Sequence, residues 1–213
     1  MLATRQPRKQ VERREEAEAK ILHAAIRLIV NKGYDRFTLT EVGEAAGYSR
    51  GLPAHYFGKK EDLLLEVVRC ITESYRANVA KSDNVEPGLP HLIMRIRTYA
   101  AGAGNRATRA LGVLIAEAMF WPKLKRTISD LNSRGQVAWE EEIRAGIRAG
   151  NIRPDVNVSA QASVIYSFLR GQMAFAGLDP KFDVKGTTDE FIETLTQRLS
   201  AGAGATTAKT GKT

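Results

Sequence analysis

Residues 37–60, FTLTEVGEAAGYSRGLPAHYFGKK, constrain the fold more than any other stretch of the chain. Thr38-Leu39-Thr40-Glu41 has the spacing of a capping box, with Thr38 as N-cap and Glu41 three residues on. Phe37 before the cap and Val42 four residues past it match a hydrophobic staple. That helix is expected to run to Ala46 and stop at Gly47, since glycine takes the left-handed C′ conformation without strain. Ser49 is expected to cap a second helix starting at Arg50, with Pro53 near its start and Tyr56-Phe57-Gly58 at its end. Two short helices and a tight turn in about twenty residues define a helix-turn-helix. The second helix of such a pair can enter the DNA major groove and show side chains to base edges. A generic helical hairpin is the alternative. Cap, staple, stop, second cap and basic exit in one register favour the DNA-binding reading.

The wider stretch ILHAAIRLIVNKGYDRFTLTEVGEAAGYSRGLPAHYFGKKEDLLLEVV, Ile21 to Val68, resembles the TetR family of bacterial transcriptional regulators. The resemblance rests on a first helix ending in glycine before an aromatic, a threonine-rich cap and the A-x-G turn. A short helix ending in an aromatic pair follows, then the K-x-x-L start of the next helix, here Lys60 to Leu63. Past Val68 only length and helical layout agree. Many members carry Thr-Leu-Tyr where this chain has Leu52-Pro53-Ala54, so no base preference carries over. The resemblance implies a dimer, a small-molecule effector and helix-terminal phosphate contacts at Thr38 and Lys60.

Composition supports a DNA partner. The chain has 213 residues, net charge +8 and a pI near 9.7, which favours a polyanion. Residues 1–14 hold Arg5, Arg8, Lys9, Arg13 and Arg14 against Glu12 alone. This stretch lacks apolar periodicity. It reads either as a flexible arm that reaches phosphates or a minor groove, or as a solvated tail. A single cysteine, Cys70, excludes an intrachain disulfide. With no apolar leader or long apolar run, a cytoplasmic location is expected.

The expected fold is all-α, about nine helices in all. A basic flexible arm (1–16) precedes a three-helix helix-turn-helix head (17–59). A larger ligand-binding and dimerisation body (60–200) and a disordered low-complexity tail (201–213) follow. The first helix is expected at Ala17–Lys32 and the fourth at Lys60–Lys81. The body helices are expected at Pro90–Ala103, Arg106–Phe120, Pro122–Gly150, Asn157–Gly177 and Thr187–Ser200. The last of these opens on a second capping box, Thr187 to Glu190. The span 158–176 is apolar over much of its circumference, as a buried helix is. It and the final helix are expected to meet their twofold mates through Ile165, Phe168, Leu169, Gln172, Phe191 and Leu195, with Gly171 and Ala174 permitting close approach.

The functional reading is a ligand-responsive regulator, a repressor by resemblance, on a near-palindromic operator. Arg50 is the candidate at a base edge, His55 and Tyr56 at bases or phosphates, and Thr38, Thr40, Ser49, Tyr56, Lys59 and Lys60 at phosphates, with Gly51 and Leu52 also in the DNA-binding set. Candidate pocket residues are Tyr99, Leu114, Met119, Phe120, Trp121, Trp139, Tyr166 and Met173. They imply a largely apolar effector, which Arg95 or Arg170 could anchor by a carboxylate. No cofactor or metal is expected. His23, His55 and His91 are scattered, and no HExxH, CxxC, P-loop or GxSxG pattern occurs. Glu140-Glu141-Glu142 reads as a solvated face. The alternatives are a constitutive or architectural DNA-binding protein and, less favoured, an all-α enzyme.

Overall fold

The computed structural model describes residues 6–80 and 85–202, with side chains from Gln10 onward. Residues 1–5, 81–84 and the low-complexity tail beyond residue 202 lie outside them. The described residues form nine α-helices and no strand. They are α1 Gln6–Lys32, α2 Leu39–Ala45, α3 Leu52–Phe57, α4 Lys60–Ala80, α5 Leu89–Ala101, α6 Arg106–Glu117, α7 Pro122–Arg148, α8 Val158–Leu178 and α9 Val184–Leu199. The chain divides into two compact units. One comprises residues up to Ser74 together with Arg109–Lys125; the other comprises Tyr75–Thr108 together with residues from Arg126 on.

Outside the α2–α3 pair, two helix starts differ from expectation by more than one residue, each for a local reason. α1 begins at Gln6, so residues 6–16 are helix and not a flexible arm. Near the end of this extension solvated pairs, not an apolar stripe, support the helix: Arg14 with Glu18 and Glu16 with Lys20, both at i,i+4 and 2.7 Å. α9 begins three residues before the Thr187 box. Asp183 is its N-cap, its Oδ1 accepting from the Gly186 N–H at 2.8 Å. Thr187 instead sits one turn inside the helix, where its hydroxyl donates to the Asp183 carbonyl.

In the first unit, Ile21, Ala25 and Ile29 of α1, Phe37 and Val42 at α2, and Leu63, Leu64 and Val67 of α4 are buried. In the second, α5, α7, α8 and α9 enclose Leu92, Ile96, Trp139, Ile143, Ile165, Leu169, Ile192 and Leu195. The entry to α5 is fixed by Gly88, at φ +96°, where a Cβ would collide with Gly146 and Asn151. Asn151 ties the junction, accepting from the Leu89 N–H at 2.9 Å and donating to the Pro87 carbonyl at 3.1 Å.

A polar cluster borders this core, with Arg95 buried and His91 and Glu142 half-buried. Arg95 Nη1 meets Glu142 Oε1 at 2.6 Å, its guanidinium lies 4.4 Å from the Trp139 ring centre, and His91 Nδ1 meets Glu142 Oε2 at 2.6 Å. Glu142 is therefore not part of a solvated face. Of that run only Glu141 is well exposed, at 57% of its side chain; it and the more enclosed Glu140 pair with Arg144.

Candidate nucleic-acid interface

The α2–turn–α3 segment closes as its caps dictate. Thr38 Oγ1 accepts from the Glu41 N–H at 3.2 Å, and Glu41 Oε2 accepts from the Thr38 N–H at 2.7 Å. Gly47, at φ +76°, ends α2, and the Tyr48 N–H reaches back to the Gly43 carbonyl at 2.9 Å. Gly43 is a determinant that sequence reasoning missed. A Cβ there would lie 2.7 Å from the Ser49 carbonyl oxygen and 3.2 Å from Pro53 Cδ. Only glycine lets the turn approach α2 so closely. Within the sequence, its signal was a glycine inside a capped helix.

Ser49 does not cap α3. The helix starts at Leu52 with Gly51 as N-cap and no side-chain cap bond, and the Ser49 carbonyl accepts the Leu52 N–H at 3.1 Å. Pro53 lies in the first turn, where its missing N–H has no helical partner to lose, and it is the buried residue of α3. The opposite side carries exposed Arg50, Gly51, Ala54 and His55, with Tyr56 half-buried. The His55 and Tyr56 rings lie 5.5 Å apart. Thr38, Thr40, Ser49 and Lys59 are exposed as well.

Electrostatics sort the basic groups. Arg50 is 77% exposed at its side chain, and its Nε lies 2.6 Å from Glu44 Oε1. Lys60 is engaged within the head. Its Nζ donates to the Asp35 carbonyl at 3.0 Å and sits 4.3 Å from the Phe37 ring centre, and burial lowers its pKa. Arg14 of the α1 extension lies 5.6 Å over the Tyr56 ring, so that extension runs beside the recognition helix.

Glu41 titrates below the ordinary carboxylate range, because the Lys32 ammonium at 2.5 Å and the Thr38 N–H hold its charged form. Its contribution is therefore in place above the ordinary carboxylate pKa. It is lost as the pH falls through the lowered value. In urea unfolding, Glu41→Gln is expected to cost stability at pH 7 and little at pH 3. Equal losses at both pH values would show that the charge contributes nothing.

The remaining candidates separate. Met119 and Phe120 are 70% and 83% exposed on the turn after α6, so they do not line an interior pocket. Trp121 stacks on Tyr34, with ring centres 6.0 Å apart. Leu114 is buried, in the same unit. In the other unit Trp139 and Met173 are buried, Tyr99 packs edge-on to Tyr75 at 4.8 Å, and Tyr166 lines a groove between α7 and α8. Ile165, Leu169, Gln172 and Leu195, assigned to an interface, are 0%, 0%, 2% and 3% exposed within their own chain. Phe168 and Phe191 stack on each other at 3.9 Å and are half-buried. Among the described residues, no helix is long and apolar enough to cross a membrane.

A capped α2, a glycine turn and a short outward-facing α3 on a helical body define a helix-turn-helix transcriptional regulator. Residues 21–67 match the family described as bacterial regulatory proteins, tetR family, and the chain belongs to the TetR family of bacterial transcriptional regulators. An uncharacterized HTH-type transcriptional regulator of Mycobacterium tuberculosis is 26% identical over 199 residues, covering 92% of this chain and 98% of that protein. The HTH-type transcriptional repressor KstR2 of Rhodococcus jostii is 25% identical over 157 residues, covering 71% of this chain and 73% of KstR2. The solved structure of the transcriptional regulator FadR from Bacillus subtilis, in complex with stearoyl-CoA, superposes with a TM-score of 0.68. It has 17% identity and spans 84% of this chain and 98% of that one.

Proposed function

We propose that the protein is a dimeric repressor that binds a near-palindromic operator through two copies of α3 and is released by a small-molecule effector. The observation that carries this reading is the outward row of α8. Val164, Phe168, Gly171, Phe175 and Leu178 recur at helical spacing, and Val164, Phe175 and Leu178 are 52%, 60% and 84% exposed. A contiguous apolar stripe on a DNA-binding chain fits a self-complementary twofold contact. Gly171 supports it: a Cβ there would meet nothing within 4 Å. Its own chain therefore gives no reason for a glycine inside a helix, which costs about 1 kcal/mol against alanine. A partner helix at close approach does. The repressor sense and the effector are supported by the KstR2 and FadR likenesses.

In each head Arg50, His55 and Tyr56 face bases, while Thr38, Thr40, Ser49 and Lys59 face phosphates. Selection of bound DNA from a random pool is expected to return a palindrome with half-sites about 34 Å apart, centre to centre. Arg50→Ala is expected to lose about 1–3 kcal/mol and relax one position per half-site. Selected DNA with no palindrome, bound with a steep salt slope alone, would favour the architectural reading.

A further inference from the structure

We propose that the groove between α7 and α8 binds a small organic carboxylate, with Arg170 as the charge that recognises it. The groove, of about 520 Å³, is lined by Asn132, Ser133, Gln136, Tyr166, Ser167 and Arg170. That volume suits a small ligand. Its lining has one cation and no acid.

Two arginines stood as possible carboxylate anchors, and their surroundings decide between them. Arg95 already has Glu142 at 2.6 Å. Arg144 and Arg153 likewise meet carboxylates. Arg170 does not. Its contacts among the described residues are all neutral: Nη2 donates to Tyr166 Oη at 2.6 Å and Asn132 Oδ1 at 3.0 Å, and Nη1 lies 4.0 Å from Met173 Sδ. The guanidinium sits 4.9 Å over the Tyr166 ring centre. Tyr166 Oη in turn donates to Asn132 Oδ1 at 3.1 Å.

These contacts hold the guanidinium in place and leave Nε and Nη1 without an oxygen acceptor. A pre-positioned guanidinium with spare donors is matched by a planar carboxylate, which takes paired charge-assisted hydrogen bonds. A single negative charge balances the single cation, which a phosphate dianion would exceed. Gly135 shapes the wall. A Cβ there would lie 2.9 Å from Tyr166 Cζ, so only glycine lets that ring lie against α7. The Ser167 hydroxyl, exposed at the rim, has no partner among the described residues and can serve a ligand oxygen.

This assignment names a class for the proposed effector and rests on that reading only for its regulatory sense. Binding is read without DNA. The intact protein is titrated by calorimetry with benzoate, octanoate, benzamide and inorganic phosphate. At least one carboxylate is expected to bind saturably, with benzamide at least about tenfold weaker than benzoate. Arg170→Gln is expected to weaken carboxylate binding about tenfold or more while melting like the wild type, and Arg170→Lys to retain part of it. Equal binding of benzoate and benzamide, no saturable carboxylate heat, or unchanged binding by Arg170→Gln overturns the site. Tighter binding of phosphate overturns the carboxylate class. An Arg170→Gln protein that dissociates into monomers, with no carboxylate binding in either form, makes Arg170 an interface cation and also overturns the site. A carboxylate that binds through Arg170 and leaves affinity for the selected DNA unchanged overturns its effector role, while the site and the DNA-binding reading stand.

Discussion

Removing the Glu142 carboxylate is expected to destabilise the protein by about 3–5 kcal/mol, the cost of leaving a buried cation alone. Arg95 is 11% exposed at its side chain and Glu142 19%, so water cannot replace the lost partner well. Arg95 Nη1 retains only a 3.3 Å bond to the Ala138 carbonyl, and its Nε is buried with no partner already. The Trp139 face supplies some compensation, but a ring quadrupole is weaker than a carboxylate at 2.6 Å. Glu141→Ala is the control. Glu141 is 57% and its partner Arg144 41% exposed at i,i+3, so its loss is expected to cost about 0.2–1 kcal/mol. Urea unfolding midpoints measure both, provided the slope stays constant. A further variant separates charge from packing: Arg95→Met with Glu142→Leu is expected to recover most of the loss. A Glu142→Ala protein as stable as Glu141→Ala would show that water enters the cluster.

Val164→Asp is expected to yield a folded monomer whose operator affinity is lower by about 10²–10⁴-fold, the factor that joining two sites contributes. Val164 is 52% exposed in the middle of α8, so its replacement costs the isolated chain little. Across a twofold axis the new charge faces its own copy, and like charges brought together cost several kcal/mol. Gly171→Ala makes a sharper companion test. Alanine is expected to stabilise the helix by up to about 1 kcal/mol while weakening self-association, because its methyl group occupies the approach space. Light scattering reads the self-association of each variant and operator anisotropy its DNA affinity. If Val164→Asp stays dimeric, the outward row of α8 is not the contact.

The parts of the fold legible in the sequence were those written in local chemistry. Thr38, Glu41 and Gly47 delimit α2 because caps and left-handed stops act within a few residues. The extension of α1 was not legible. Solvated i,i+4 pairs such as Glu16–Lys20 leave no apolar period to find. At α9 two acceptors competed, and Asp183 prevailed over Thr187.

The direction a side chain faces is tertiary information. α8 is apolar over much of its circumference, so composition predicted cover on more than one side. Only the fold shows that Ile165 and Leu169 turn inward and Val164 and Phe175 outward. The candidate DNA-facing residues were easier, because a six-residue helix with Pro53 buried has one side left to offer. Lys60 shows the limit of that reasoning. Its position at a helix start suggested a phosphate, while the Asp35 carbonyl and the Phe37 ring hold its ammonium in the head.

The seating of α3 separates structural from informational residues. Pro53 and the bare backbone of Gly43 fix where the helix lies. Ala54 and His55 are exposed and take no part in that seating, whereas Arg50 is tied to Glu44 of α2. The readable positions can therefore be rewritten without renegotiating the scaffold beneath them. On the proposed DNA-binding reading the head is a fixed holder for an exchangeable text, and substitutions at these positions are expected to change the target site while leaving the fold untouched.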